Sequence, residues 1–136
     1  MNSGNVIFSS EKIAIEDIVK IIEKAIIESF QFEVRVLVIT TETLLNIHQA
    51  IPISWQSEVG MLPHIAFLWK EIDDSNILKL MDVNPEENAV KYIPGALLWN
   101  VELKTWSKDK IYRYLNNKVS QQVTIRSINT IKRLSK

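Results

Sequence analysis

Pro94-Gly95, set between two runs of strand-forming residues, is the feature that most narrows the folds open to this chain. Proline fixes φ near the value a type II turn needs at its second position, and glycine supplies the positive φ needed at the third. Residues 89–93 and 96–103 are therefore expected to pair as an antiparallel hairpin. Upstream, residues 65–69 form an apolar run of strand length, and Asp73 or Asp74 is expected to cap a helix that turns Ile77, Leu78 and Met81 inward. Residues 84–88 supply the turn that ends it. Downstream, Ser107 caps a helix with Ile111, Tyr114 and Leu115 inward, residues 122–126 form a short strand, and Ser127 caps a last helix carrying Ile128, Ile131 and Leu134 on one side. From about His64 the order is strand, helix, strand, strand, helix, strand, helix, which is the split βαβ, ferredoxin-like order. Right-handed crossovers then put the fourth strand beside the first and the third between first and second, giving a four-stranded antiparallel sheet with helices on one face. Only three glycines stand in 136 residues, too few for the tight turns of a barrel or sandwich, so the class is α+β.

The first half reads as less complete. Residues 6–8 suggest a short strand, after which Ser9 or Ser10 caps a helix with the apolar stripe Ile15, Ile18, Val19, Ile22, Ile26 and Phe30. Glu16 and Lys20 stand four apart on its wet side. Residues 33–40 are rich in β-branched side chains and read as a largely buried strand. Thr40 or Thr41 caps a second helix through about Gln49, and residues 51–63, with two prolines and Gly60, read as a connecting loop. The expected organisation is an incomplete α+β half over 1–62 joined to a ferredoxin-like half over 63–136, the two making one compact unit.

Composition excludes much. Apolar residues at 46% and charged residues at 24% are those of an ordinary soluble globular chain. The absence of cysteine removes disulfides, thiolate nucleophiles and cysteine zinc sites. His48 and His64 lack any nearby acidic or imidazole partner at metal spacing, and Gly4, Gly60 and Gly95 are isolated from one another, so neither a metal centre nor a Gly-rich phosphate loop is expected. No cofactor is expected. No apolar run reaches the roughly 18 residues of a membrane span and no signal-peptide pattern opens the chain, so a cytoplasmic location is expected. The formal charge of zero conceals a division: residues 1–103 carry 7 Lys/Arg against 15 Asp/Glu, net −8, whereas 104–136 carry 9 Lys/Arg against Asp109 alone, net +8. Such asymmetry suggests an anionic partner, or a basic end screened by the acidic remainder.

Two segments carry a resemblance. The opening Asn2-Ser3-Gly4-Asn5-Val6-Ile7-Phe8 and the closing Val123-Thr124-Ile125-Arg126-Ser127-Ile128-Asn129-Thr130-Ile131 resemble the bacterial family catalogued as domain of unknown function 1697. That family carries a Ser-Gly-Asn-Val-hydrophobic-Phe strand, a Ser-Lys at the start of a late helix, and Thr-x-Arg-Asn-x-Asn-Thr near the end. The Ser-Lys matches Ser107 and Lys108, and the last motif matches Thr124, Arg126, Ser127, Asn129 and Thr130, with Ser127 in place of the usual Asn and Ile128 in place of a common Trp. The likeness extends along essentially the whole chain and implies two ferredoxin-like halves. It also implies a strand and helix ahead of Ser-Gly-Asn, so either Met1 is an internal start or this is a shortened copy. A first half so reduced should leave an apolar strip exposed beside Val6 to Phe8 or Val34 to Ile39, to be covered by a second copy or a protein partner.

With the third and fourth strands parallel and the first between them, Ser107-Lys108 and Arg126-Ser127 should leave the sheet at one edge, each at a helix N-terminus that favours an anion. Lys108 and Arg126 could close around a phosphate or carboxylate, with Asn129 and Thr130 in the first turn of the last helix as further ligand contacts or as groups satisfied locally. The functional expectation is an uncharacterised α+β protein binding an anionic small ligand or a protein partner at this edge. The alternatives are an enzyme acting on a phosphorylated or nucleotide-like substrate, which lacks an evident general base, and a weak nucleic-acid-binding module, which would need Tyr92, Trp99 or Trp106 exposed.

Overall fold

A computed structural model describes residues 4–11 and 14–135, which divide into two compact units, Met1–Thr41 and Glu42–Lys136. Asn2 and Ser3 of the opening motif lie outside the described residues.

Among the described residues of the first unit one helix forms, α1 (Ile15–Phe30). Its N-cap is Ala14, which has no side-chain oxygen to offer, rather than Ser9 or Ser10; Glu16 and Asp17 in the first turn complement the helix dipole instead. Gln31 closes the helix in the left-handed region at φ 59°, its N–H donating to the Ile27 carbonyl. The predicted strands at 6–8 and 33–40 do not form. A β-branched run becomes a strand only when another backbone supplies its ladder, and α1 offers none. The Val36 N–H instead donates to the Glu23 carboxylate of α1 at 3.1 Å. No residue of α1 is buried.

The second unit holds the core. Its helices are α2 (Thr41–Ala50), α3 (Ile53–Gln56), α4 (Ile77–Leu80), α5 (Lys110–Lys118) and α6 (Ile128–Leu134), and its strands are β1 (Met61–Leu68), β2 (Val90–Ile93), β3 (Ala96–Glu102) and β4 (Val123–Ser127). The strands form one sheet in the order β2-β3-β1-β4, with every neighbouring pair antiparallel. Gly95 sits at φ +92°, as the Pro94-Gly95 turn requires. Asp73 serves this turn rather than a helix: its Oδ1 accepts from the Tyr92 hydroxyl at 2.7 Å and from the Gly95 N–H at 2.8 Å. Asp74 forms a local turn, accepting from the Asn76 N–H at 2.7 Å ahead of the short α4.

One sheet face carries Ala66, Leu68, Leu97, Trp99 and Val101, which cluster with Ile77 and Met81 from the α4 region and Ile111 and Leu115 of α5. The opposite face is buried as well, against the expectation of helices on one side only: Ile65, Phe67, Ala96 and Leu98 are all 5% exposed or less. Buried Leu44, Ile47 and Ile51, at and just after α2, and Ile128 and Ile131 of α6 stand outside the first cluster, and α6 packs against β1 and β4.

Pro63, expected in a loop, lies inside β1 opposite Asn100. The Asn100 N–H donates to Ala89 across β2, so the Asn100–Pro63 pair exchanges no bonds and the proline nitrogen faces the β4 side. β4 stops at Ser127, opposite His64, one residue before Pro63 would be asked to donate.

Candidate functional site

The strand exits lie as the topology predicts, but the helix starts do not. β3 and β4 flank β1, and His64 sits between Trp99 and Ser127. Beyond that level β3 runs on to Glu102 and then enters a 3₁₀ stretch, Leu103–Lys108, kinked at Thr105. Ser107 and Lys108 close that stretch, so Ser107 is not the cap of α5. Asp109 is: its Oδ2 accepts from Ile111 N–H at 3.0 Å and Tyr112 N–H at 3.1 Å. Ser127 does occupy the N-cap position of α6, yet its side chain makes no capping bond.

Strand alternation separates the two cations expected to act together. Val123 and Ile125 of β4 face the α5 cluster, so Arg126, between Ile125 and Ser127, faces the other layer with Ile65 and Leu98. Its guanidinium turns back along the strand, donating to the Thr124 hydroxyl at 2.7 Å and to the Ile125 carbonyl at 2.9 Å, and partial burial pulls its pKa below the ordinary arginine value. Asn129 is exposed on α6, and the Thr130 hydroxyl accepts from Arg133 at 3.3 Å, a local use of the side chain.

Lys108 instead joins α5. Together with Lys110, Arg113, Tyr114, Asn117 and Lys118 it lines an open groove of about 230 Å³. Positions 110, 113, 114, 117 and 118 share one helical face because Ile111 and Leu115 are the buried pair. Lys110 is partly committed, donating to the Asp82 carbonyl at 2.6 Å and standing 3.9 Å from its carboxylate. Lys108, Arg113 and Lys118 have no acidic partner among the described residues. Sequence reasoning named Lys108 and not the other three cations; the signal was their i, i+3, i+8 spacing, which gathers them with Tyr114 and Asn117 on one side of α5.

Beside the groove, rings stack around His64. Its Nδ1 lies 2.9 Å from the Leu62 carbonyl, which makes it the protonated nitrogen of the neutral ring. Burial lowers the His64 pKa, against smaller upward pulls from that carbonyl and from Asp109. Trp99 lies 5.7 Å away, and Trp106 stacks at 6.4 Å with planes 17° apart and meets Tyr112 in a T-shaped contact at 4.8 Å. Trp99 is fully buried, whereas Trp106 is 41% exposed. Partial burial, reinforced by the Asp73 carboxylate, pushes the Tyr92 phenol up to about 12. No group of metal-ligating side chains forms among the described residues. None of the described helices is long and apolar enough to cross a membrane.

These features define an α+β protein with a four-stranded antiparallel sheet and a cation-lined groove on one of its helices. The model of the family described as Protein of unknown function (DUF1697) matches residues 1–99, and the chain belongs to that family. The opening Gly4–Phe8 segment lies within the match; Ser107-Lys108 and residues 124–130 lie beyond it, so the resemblance expected along essentially the whole chain is established for 1–99. No curated protein and no solved structure matches the chain.

Proposed function

We propose that this protein binds an anionic small ligand in the groove that begins at Lys108. The observation that carries the reading is the convergence of Lys108, Arg113 and Lys118 on one small concavity with no acidic partner among the described residues. Cations held together without counter-charge raise one another's cost, and an anion relieves it while gaining charge-assisted hydrogen bonds. Asp109, the acid nearest in sequence, spends an oxygen on the α5 backbone. Arg126, Ser127, Asn129 and Thr130, first expected to complete the site, enter this reading only as the neighbouring strand exit. Supporting a ferredoxin-like assignment for the second unit is the strand order β2-β3-β1-β4, and a cytoplasmic location agrees with the cysteine-free composition. Titration calorimetry with inorganic tripolyphosphate at low salt tests the site. Binding that weakens about tenfold or more in Lys108→Ala/Arg113→Ala and falls with added salt is expected; the absence of binding at millimolar tripolyphosphate would overturn it.

A second reading, a protein partner or a second copy on the first unit, is favoured by one specific observation. Val6, Ile7, Phe8, Phe30 and Phe32 are between 47% and 83% exposed, a density of uncovered apolar side chains unusual on a solitary soluble surface. Sedimentation at increasing concentration distinguishes self-association from a monomer.

A further inference from the structure

Trp106 gives the groove a second kind of recognition. We propose that the anion is a nucleoside polyphosphate, its base packed on the exposed part of the Trp106 ring and its phosphate chain lying in the Lys108–Lys118 groove; this rests on the anion-binding reading above.

Three observations carry the inference. First, Trp106 is a fixed surface: it stacks on His64 at 6.4 Å and meets Tyr112 in a T-shaped contact at 4.8 Å, yet 41% of the residue stays open. A ring already immobilised loses little further entropy when a second ring stacks on it. Secondly, Trp106 and the groove are joined by a tight turn, since the Asp109 N–H donates to the Trp106 carbonyl at 3.2 Å, and Lys108 lies between them. Thirdly, the groove is small. At about 230 Å³ it falls below the roughly 300 Å³ at which pockets begin to enclose a drug-sized ligand. It can hold a phosphate chain, but the rest of the molecule must lie outside it, and the exposed aromatic surface adjoining Lys108 is Trp106. A flat aromatic group attached to a short run of negative charges is the chemistry that satisfies both. A long nucleic acid fits less well, because residues 1–103 carry net −8 and would repel an extended polyanion.

The probes are adenosine triphosphate, inorganic tripolyphosphate, adenosine and a short single-stranded oligonucleotide, each titrated against the full chain by calorimetry. Base stacking of this kind contributes about 5- to 100-fold in affinity. Adenosine triphosphate should therefore bind at least about fivefold more tightly than tripolyphosphate, and Trp106→Ala should erase that difference while leaving tripolyphosphate binding intact. Trp106→Phe, which keeps a ring over His64, retains part of the preference and guards against a folding defect, monitored by near-ultraviolet circular dichroism. Equal affinity for the two phosphates overturns the nucleoside inference and leaves the anion groove standing. Binding of neither removes the groove reading itself. Tighter binding of the oligonucleotide than of adenosine triphosphate overturns the inference in favour of nucleic acid.

Discussion

Replacing Asp73 by alanine isolates what a single carboxylate contributes to the hairpin that organises the sheet. Its Oδ1 accepts at 2.7 Å from Tyr92 and at 2.8 Å from the Gly95 N–H, joining the segment after β1 to the β2–β3 turn. Hydrogen bonds to a charged acceptor contribute about 1.5–3 kcal/mol each. The site is only partly buried, and solvent screening brings the pair down to roughly 2–3 kcal/mol together. Tyr92→Phe deletes one of the two and should cost about 1 kcal/mol. The double variant should lose about 1 kcal/mol less than the sum of the singles, because both remove the same bond. Urea unfolding followed by far-ultraviolet circular dichroism reads these values as midpoint shifts at constant slope. Phenolate absorbance gives an independent readout. Partial burial, then Asp73, holds Tyr92 up at about 12, so Asp73→Ala should move that component toward the ordinary value of about 10. The sign follows from linkage: a phenol whose pKa is raised on folding contributes stability that is full below about pH 10 and lost as pH climbs through the folded value. An Asp73→Ala midpoint shift worth less than about 0.5 kcal/mol, or a tyrosine titration unchanged by the substitution, would refute the reasoning.

Two further outcomes can be checked in the same apparatus. Leu115, fully buried between α5 and the sheet, should cost about 2–5 kcal/mol when cut to alanine; a loss under about 1 kcal/mol would mean that α5 does not close the core. His64 has its pKa lowered, chiefly by burial, so its contribution is full above about pH 6.5 and declines as pH falls. Acidification from about pH 7.5 to 5 should lower the wild-type midpoint, and His64→Phe should flatten that slope; identical slopes would contradict it.

Local chemistry made the second unit readable. Pro94-Gly95 prescribed its own turn, and the alternation of apolar runs with helical spacing from residue 64 onward yielded the element order, including the strand order later seen. The first unit misled for a physical reason. Residues 33–40 have the branched side chains of a strand, but strand formation is a contract between two backbones, and sequence shows one. The α5 start was misplaced because Ser107 and Asp109 are both good caps, and the choice between them was made by tertiary structure: Trp106 folds back onto His64, which holds residues 103–108 in a 3₁₀ path and leaves Asp109 at the helix entrance. In the candidate site, the direction of the strand exits was legible. Which face Arg126 would take was not, since a shift of one residue in register reverses it.

Pro63 has a consequence for how the molecule meets others. Past the end of β4, the outward rim of β1 would ordinarily be a place where a foreign extended segment could zip on. Of the two nitrogens that face that way, Pro63 has no hydrogen to give, and the Met61 N–H is spent on the Glu58 carbonyl at 3.3 Å. The rim thus has no free N–H to offer an incoming strand, which removes half of the ladder such a strand would need.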